Sequence, residues 1–582
     1  MMKFSPLTAF VILILAGALG GCEAPSRITD SEPDSGRVFS RGVVAADHRI
    51  ASEAGLEMLK LGGNAIDAAV ATSFTLAVTR PFSCGIGGGG FMVIHLVADD
   101  DVPSRSAALV YRERAPSMVG PMYYANLGVD EASRYGRHAS GVPGTVAGLL
   151  HALASYGRLD RTVVLAPAIR AAEEGFLTDD AYVAAATTVV ERFAERPELI
   201  ESIGRERYEW FCGRFLMDGS PRAGEIIRQP ELAATLRLIA QNGAAAFYVG
   251  PIAEAIEEAT DTLTTEDLAR YEVEERRPLE GEILGRRVLV MPPPSSGGIA
   301  MLQIFGILER HQIALNSARW NGPSYAHLVI EAMKHAFADR AEWLADDAFA
   351  PVPIDKLLDP VYLDELAARI DADRTFNLDH YGSRAPAGDD HGTSHLSVID
   401  AEGNAVACTE TINLEFGSLN VVPEYGIILN NEMDDFLTIP GQPNAFGLTQ
   451  SDRNLPAPGK RPLSSMSPTI VIGADGRVEL VAGASGGPRI ITGTLQVVLN
   501  LLLFVDDPQA AVAAPRFHHQ WAPNAVYLED RWVDDETRSY LEDRGHEIRR
   551  RDGVGVVQVI TRRGDGYSAA SDPRKGGEPA GW

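Results

Sequence analysis

Apolar residues recur at helical spacing from Ile50 to Leu61, and the run stops at Gly62-Gly63, a pair suited to a helix C-terminus. Asn64 then stands where an N-cap belongs, with Asp67 in the first turn. Small apolar residues continue to Val78 before Pro81 ends the pattern. Further helical patterns cover about 144–156, 160–175, 230–241, 299–310 and 323–345. A glycine run, CGIGGGG from Cys84 to Gly90, leads into FMVIHLVA, which reads as a buried strand. Beyond Thr393 the chain turns strand-rich: SHLSVID, NAVACTET, GIILNN, TIVIG, VELVAG, AVYLE and GVVQVIT, with one helix at 493–504. Residues 374–392, polar and rich in Gly, Pro and Asp, read as an exposed loop. Helices before and strands after predict layers of helix and sheet packed in one globule.

With 582 residues, 45% of them hydrophobic, the chain can bury a large core. Its formal net charge of −27 argues against nucleic acid or an anionic lipid surface as the main partner, since a negative field repels both. The N-terminus is a targeting segment rather than fold: Lys3 precedes an apolar run, Leu7 to Leu19, too short to span a bilayer comfortably. That run ends in Leu19-Gly20-Gly21-Cys22, which resembles the lipobox of bacterial lipoproteins, with Cys22 the lipid-bearing residue. An ordinary secretory signal with a chance cysteine is the alternative; either implies export. Residues 1–21 are then a signal peptide and 22–37 a polar tether. Cys84, Cys212 and Cys408 show no metal or disulfide framework; they are expected as buried free thiols, with a Cys84–Cys212 bridge as the alternative.

The segment from His391 to Asn413 carries the chemistry. Two alternating strands flank Asp400-Ala401-Glu402-Gly403-Asn404, a hairpin signal. Folding about Glu402 sets Thr393 opposite Thr411, because the two are equidistant from it. Opposed residues on neighbouring strands lie about 4.5–5.5 Å apart, so one threonine hydroxyl faces another. Threonine is common in strands, and the pair alone is compatible with plain sheet structure.

The surrounding residues change that reading. Thr393-Ser394-His395-Leu396-Ser397-Val398-Ile399-Asp400 resembles the T-x-H-x-S-V-x-D strand of the γ-glutamyltransferase (γ-glutamyltranspeptidase) family, N-terminal-nucleophile hydrolases whose processing threonine opens it. The resemblance continues through NNEMDDF (430–436), RPLSSMSPT (461–469), SGGPRII (485–491), APRFHHQW (514–521) and ASDPR (570–574). Upstream it covers Gly85 to Phe91, GVPG (141–144), PPPSSGG (292–298) and EAMKH (331–335). It runs in order over roughly 40 to 580.

What the resemblance implies is an α+β fold, the four-layer αββα sandwich, shared by both products of one autocatalytic cut between Gly392 and Thr393. The products are a large subunit, 38–392, and a small catalytic subunit, 393–582. Thr393 would attack γ-glutamyl amides such as glutathione and pass the γ-glutamyl group to water, an amino acid or a peptide, with no cofactor. The new α-amino group, with an ordinary pKa of about 7.7–8.0, would act as the base beside the hydroxyl. Gly486 and Gly487 would supply oxyanion N–H groups, and Thr411 would hydrogen-bond the nucleophile. Arg112, Ser464 and Ser465 would hold the substrate α-carboxylate, and Asn413, Glu432 and Asp435 the α-ammonium. Residues 437–449 align with a pocket lid in which Phe446 replaces a usual tyrosine, so that lid is expected to be held mainly by packing. The implied setting is the periplasm, with a membrane contact only through the lipid.

Rival readings are a related acylase acting on β-lactam side chains, a peptide-anchoring transferase, and an exported binding protein without turnover. Another is a serine hydrolase built on Gly483-Ala484-Ser485-Gly486-Gly487, with Asp506 or Asp507 and His546 as partners. His518 and His519, adjacent on a strand, point to opposite faces and do not form a metal pair.

Overall fold

In the computed structural model, which describes residues 37–98, 103–382, 392–440, 442, 444–448, 450–532 and 534–582, the strand Ser394–Asp400 lies near the middle of a seven-stranded sheet. Its neighbours are Gly42–Ala46 on one side and Ala405–Thr411 on the other. Beyond Ala405–Thr411 come Gly89–Leu96, Arg105–Tyr111 and Glu274–Arg276, and beyond Gly42–Ala46 comes Ala580–Gly581. A second sheet of six strands runs from Gly566–Ser571 through Val556–Arg563, Val478–Ser485, Thr469–Ile472 and Arg286–Val290 to Leu279–Ile283. Strands from before and after Thr393 are therefore mixed in both sheets.

The two-residue alternation sorts side chains between two cores. Val44, Met92, Ile94, Leu396, Val398 and Val406 face the helices Arg49–Lys60, Ala65–Thr79 and Thr145–Tyr156. Val43, Phe91, Val93, Ala405 and Ala407 face the second sheet, whose Val288, Leu480 and Val481 belong to the same core. The helices Gly297–Arg310, Pro323–Trp343 and Arg489–Leu503 complete that core. The result is helix, sheet, sheet, helix, an α+β sandwich in which residues 35–582 form one compact unit.

Local sequence explains the framing elements. Asn64 Oδ1 accepts from the backbone N–H of Ile66 and Asp67, while Asp67 accepts from Asn64 N, a reciprocal cap worth about 1 kcal/mol. The helix expected at 493–504 begins at Arg489. Its first residues, Arg489 to Thr492, include β-branched Ile490, Ile491 and Thr492, whose local preference is for strand. The loop expected at 374–392 is not simply exposed: Arg544 O accepts from Thr375 N at 2.8 Å, Leu378 O from Trp521 Nε1 at 3.1 Å, and Tyr381 is buried. The rest of that stretch, 383–391, lies outside the described residues, as do the signal segment, Cys22 and the tether up to residue 36. Cys84, Cys212 and Cys408 are all free, with no Cys84–Cys212 bridge; Cys84 and Cys408 are buried as expected, whereas Cys212 is only half-buried. Among the described residues no helix is long and apolar enough to cross a membrane.

Candidate active site

The hairpin register is the one expected from the sequence. Glu410 pairs with Ser394 and Cys408 with Leu396, so the next opposed pair is Thr411 and Thr393. Their Oγ1 atoms lie 3.2 Å apart, and Thr411 Oγ1 also accepts from the backbone N–H of Asn413 at 2.8 Å. Thr393 is 4% exposed, so its hydroxyl meets solvent only through the adjoining cavities. Gly392 has φ +131°, and a Cβ there would lie 2.2 Å from Asn413 O. Only glycine fits beside this threonine.

One tight pocket of about 20 Å³ is lined by Thr393, Thr411, Arg112, Asn413, Glu432, Asp435, Ser464, Ser465 and Gly487. Gly486 lines a second, wider cavity on another side of Thr393, together with Gly392 and Ser485. Gly486 and Gly487 have φ of +119° and +54°, the left-handed side of the map, and neither N–H is used in a turn or loop backbone bond. Asn413 Nδ2 donates to Asn431 O at 3.0 Å, and Ser464 Oγ accepts from Met466 N at 3.1 Å.

Arg112 directly follows the strand Arg105–Tyr111 and is 1% exposed. Its guanidinium donates to both Glu432 and Asp435, which sit on one short 3-10 turn, and lies 3.6 Å from Glu113 Oε2. Three carboxyls thus converge on one guanidinium. Burial pushes Glu113 up to about 7 and Asp435 to about 6 against the pull of Arg112, and holds Glu432 above the usual carboxyl range.

Sequence reasoning missed two cations here. Arg340, from the helix Pro323–Trp343, lines the pocket with Nε 2.9 Å from Ser296 Oγ and Nη2 3.3 Å from Ser465 Oγ. Burial lowers it to about 10. No motif in the sequence marked it; the structure shows residues 325–341 of that helix buried throughout although they include Glu331, Lys334, Asp339 and Arg340. Lys575, one residue past the ASDPR match, donates to Thr393 O at 2.6 Å and to the buried Asp47 Oδ2 at 2.8 Å.

The lid differs from expectation. Phe446 is buried against the pocket, but the segment is also held by polar bonds: Ala445 N donates to Asp434 Oδ2 at 2.7 Å and Asn444 Nδ2 to Asp435 Oδ1 at 3.4 Å. Residues 441, 443 and 449 of the lid lie outside the described residues.

Among the described residues, the histidine nearest to Thr393 along the chain is no base. His395 packs over Gly483, its ring nitrogens lie 2.7 Å from Thr409 Oγ1 and 3.1 Å from Ser397 Oγ, and burial lowers it to about 3. Nor do the parts of a serine triad meet. Ser485 lines the wider cavity, while His546 Nε2 is 2.9 Å from His327 Nδ1, Asp507 caps the helix Pro508–Ala513 and Asp506 pairs with Arg563. His327, Glu331 and His546 have ligand atoms within 4.8 Å of one another. Lys334 Nζ already sits 2.9 Å from Glu331, and His327 Nε2 lies 2.8 Å from Asp371 O, which spends that nitrogen's proton on a carbonyl. His518 Nδ1 is 2.9 Å from Thr492 Oγ1 and His519 Nδ1 accepts from Trp521 N, both packing roles.

A family model described as Gamma-glutamyltranspeptidase matches residues 51–582. The chain is 39% identical over 545 residues to the glutathione hydrolase proenzyme of Escherichia coli (strain K12), covering 92% of this chain and 90% of that protein. It is 39% identical over 603 residues to glutathione hydrolase 2 of Arabidopsis thaliana, covering 99% and 98%. Among solved structures, a cephalosporin acylase from Bacillus halodurans superposes with a TM-score of 0.81 at 28% identity over 96% of this chain and 99% of that one. The γ-glutamyltranspeptidase from Pseudomonas nitroreducens complexed with L-DON does so at 0.51 and 35% identity, covering 58% of this chain and 97% of that one.

Proposed function

Because the chain belongs to the γ-glutamyltranspeptidase family, we propose that it cuts itself between Gly392 and Thr393 and that Thr393, now an N-terminus, attacks γ-glutamyl amides such as glutathione. It is a γ-glutamyltransferase and glutathione hydrolase. The observation that carries the residue assignment is the Thr393–Thr411 hydroxyl pair opening onto a pocket that also holds Arg112, Glu432 and Asp435.

In the cut, Thr393 Oγ1 attacks the Gly392 carbonyl, and hydrolysis of the resulting ester leaves a large chain ending at Gly392 and a small chain, 393–582. In turnover the free α-amine takes the hydroxyl proton and returns it to the leaving amine. The tetrahedral oxyanion sits on the Gly486 and Gly487 N–H groups, each such donor being worth about 3–4 kcal/mol. The glutamyl head group is a zwitterion, and it enters between partners already paired. Its carboxylate takes Arg112 with Ser464 and Ser465, and its ammonium takes Glu432, Asp435 and Asn413. That demand for both charges separates this reading from a β-lactam side-chain acylase, despite the shared sandwich.

We place the enzyme outside the cytoplasm, tethered by a lipid on Cys22. The support is the Leu7 to Leu19 run and the LGGC sequence that ends it. Mass spectrometry of the purified protein, paired with release of an aniline from a γ-glutamyl anilide, tests the assignment. A fragment beginning at Thr393 and loss of both activities in Thr393→Ala are expected, whereas Ser485→Ala retains turnover. An uncut chain that hydrolyses glutathione at full rate would overturn it.

A further inference from the structure

Thr393 stands between two cavities of different character. The tight one holds the paired charges described above. The other, about 560 Å³, contains Gly392, Gly486 and Lys575 and is wide enough for the part of a substrate beyond the scissile amide. Its wall includes Glu415, which follows Asn413 by two residues. A Cβ on Gly392 would lie 3.0 Å from Leu414 C, the atom bonded to Glu415 N, so this glutamate enters the wall beside the cut.

Among the described residues the Glu415 carboxylate makes no hydrogen bond or ion pair. The neighbouring cations are otherwise engaged: Lys575 with Asp47, Arg574 with Glu529 and Asp572. Arg489, Arg531 and Asp552 line the same cavity, and Arg192, Glu131 and Arg134 approach Glu415 from its other side. Burial pushes Glu415 up to about 7, with Lys575 and Arg192 opposing. An unpaired carboxylate kept this close to solvent is placed to take a proton from an incoming cation and release it to water.

We propose that Glu415 is the acceptor-side carboxylate: it receives the ammonium of an amino-acid or peptide acceptor in the wide cavity and removes the proton that prevents attack. This rests on Thr393 being the nucleophile. The acceptor R–NH3⁺ gives one proton to Glu415. The resulting amine attacks the γ-glutamyl ester carbonyl, forming the C–N bond. Its second proton passes through the Thr393 α-amine to Oγ1 as the C–O bond breaks. The products are the new γ-glutamyl amide, free Thr393 and a protonated Glu415, which loses its proton to solvent.

The test uses the self-cut protein, a γ-glutamyl anilide donor and glycylglycine as acceptor. With Glu415→Gln the ratio of transfer to hydrolysis falls about tenfold near pH 7.5, and the deficit closes towards pH 9.5, where an α-amine of pKa about 7.7–8.0 is already neutral. Glu415→Asp retains the wild-type pH profile with a raised acceptor KM. An unchanged ratio in Glu415→Gln, or an equal fall of transfer and hydrolysis at every pH in both variants, overturns the proposal. A wild-type protein that releases no aniline overturns the reading of Thr393 as well; a wild type that works beside an indifferent Glu415→Gln overturns only this one.

Discussion

The ammonium of Lys575 lies 2.6 Å from the carbonyl oxygen of Thr393, so the end of the chain is fastened to the residue that opens the central strand. The same ammonium neutralises Asp47, whose side chain is fully buried. Removing one member of a buried pair costs about 3–5 kcal/mol, because the other charge is left uncompensated. Lys575→Met is therefore expected to melt earlier and to cut itself slowly. Adding Asp47→Asn restores stability but not the cut, since the Thr393 contact stays lost. Thermal unfolding and a timed denaturing gel separate the two effects; full recovery of cutting in the double variant contradicts the role given to the Thr393 contact.

Gly392→Ala puts a methyl 2.2 Å from Asn413 O at a φ of +131°. The scissile carbonyl must shift, and a misplacement near 1 Å costs about a hundredfold in rate. The expected product is a folded chain that remains mostly one band, with intact mass confirming the missing fragment.

Arg112→Lys keeps the charge but loses the planar fork that reaches Glu432 and Asp435 together. A loss of about 2 kcal/mol, roughly thirtyfold in kcat/KM, is expected on a γ-glutamyl anilide, with KM raised. An analogue lacking the α-carboxylate should lose far less on going from wild type to variant.

Glu410 sits next to Thr411, fully buried, accepting from Ser73 and Tyr111, and burial pushes it up to about 7. Its folded-state value is above the unfolded one, so its contribution is fully present below the unfolded pKa and is lost as pH rises through about 7. Glu410→Gln mimics the protonated form. Its melting temperature should approach that of the wild type near pH 5 and exceed it near pH 8.5, by up to about 3 kcal/mol in stability. The reverse order at the two pH values would sink this assignment.

Much of the fold was legible because its periodicities are strong and local. The cap at Asn64, the helix after it and the hairpin about Glu402 appear within a residue or so of their expected ends. The Thr393–Thr411 opposition follows from the turn alone. Less legible were the helices Asp180–Glu195 and Arg205–Phe215, the latter mostly charged and aromatic, with packing rather than propensity deciding it. In the pocket, the direct members came from ordered motifs. Arg340 and Lys575 did not, because their roles depend on contacts with residues 44 to 182 positions away. The polar hold on the lid was equally invisible, since it depends on where Asp434 points in space.

The strand order has a consequence for what the proposed cut would leave behind. In the seven-stranded sheet, strands Gly42–Ala46 and Gly89–Leu96 of the upstream piece border the two central strands of the downstream piece. Neither fragment holds a complete version of either sheet. Once denatured and parted, the two would have to find each other by diffusion, where the precursor needed only to close on itself. With the proposed cut, maturation would work as a ratchet: the native arrangement would be reached once, as a single polypeptide, and would afterwards persist by the slowness of its unfolding rather than by an equilibrium the fragments can re-establish.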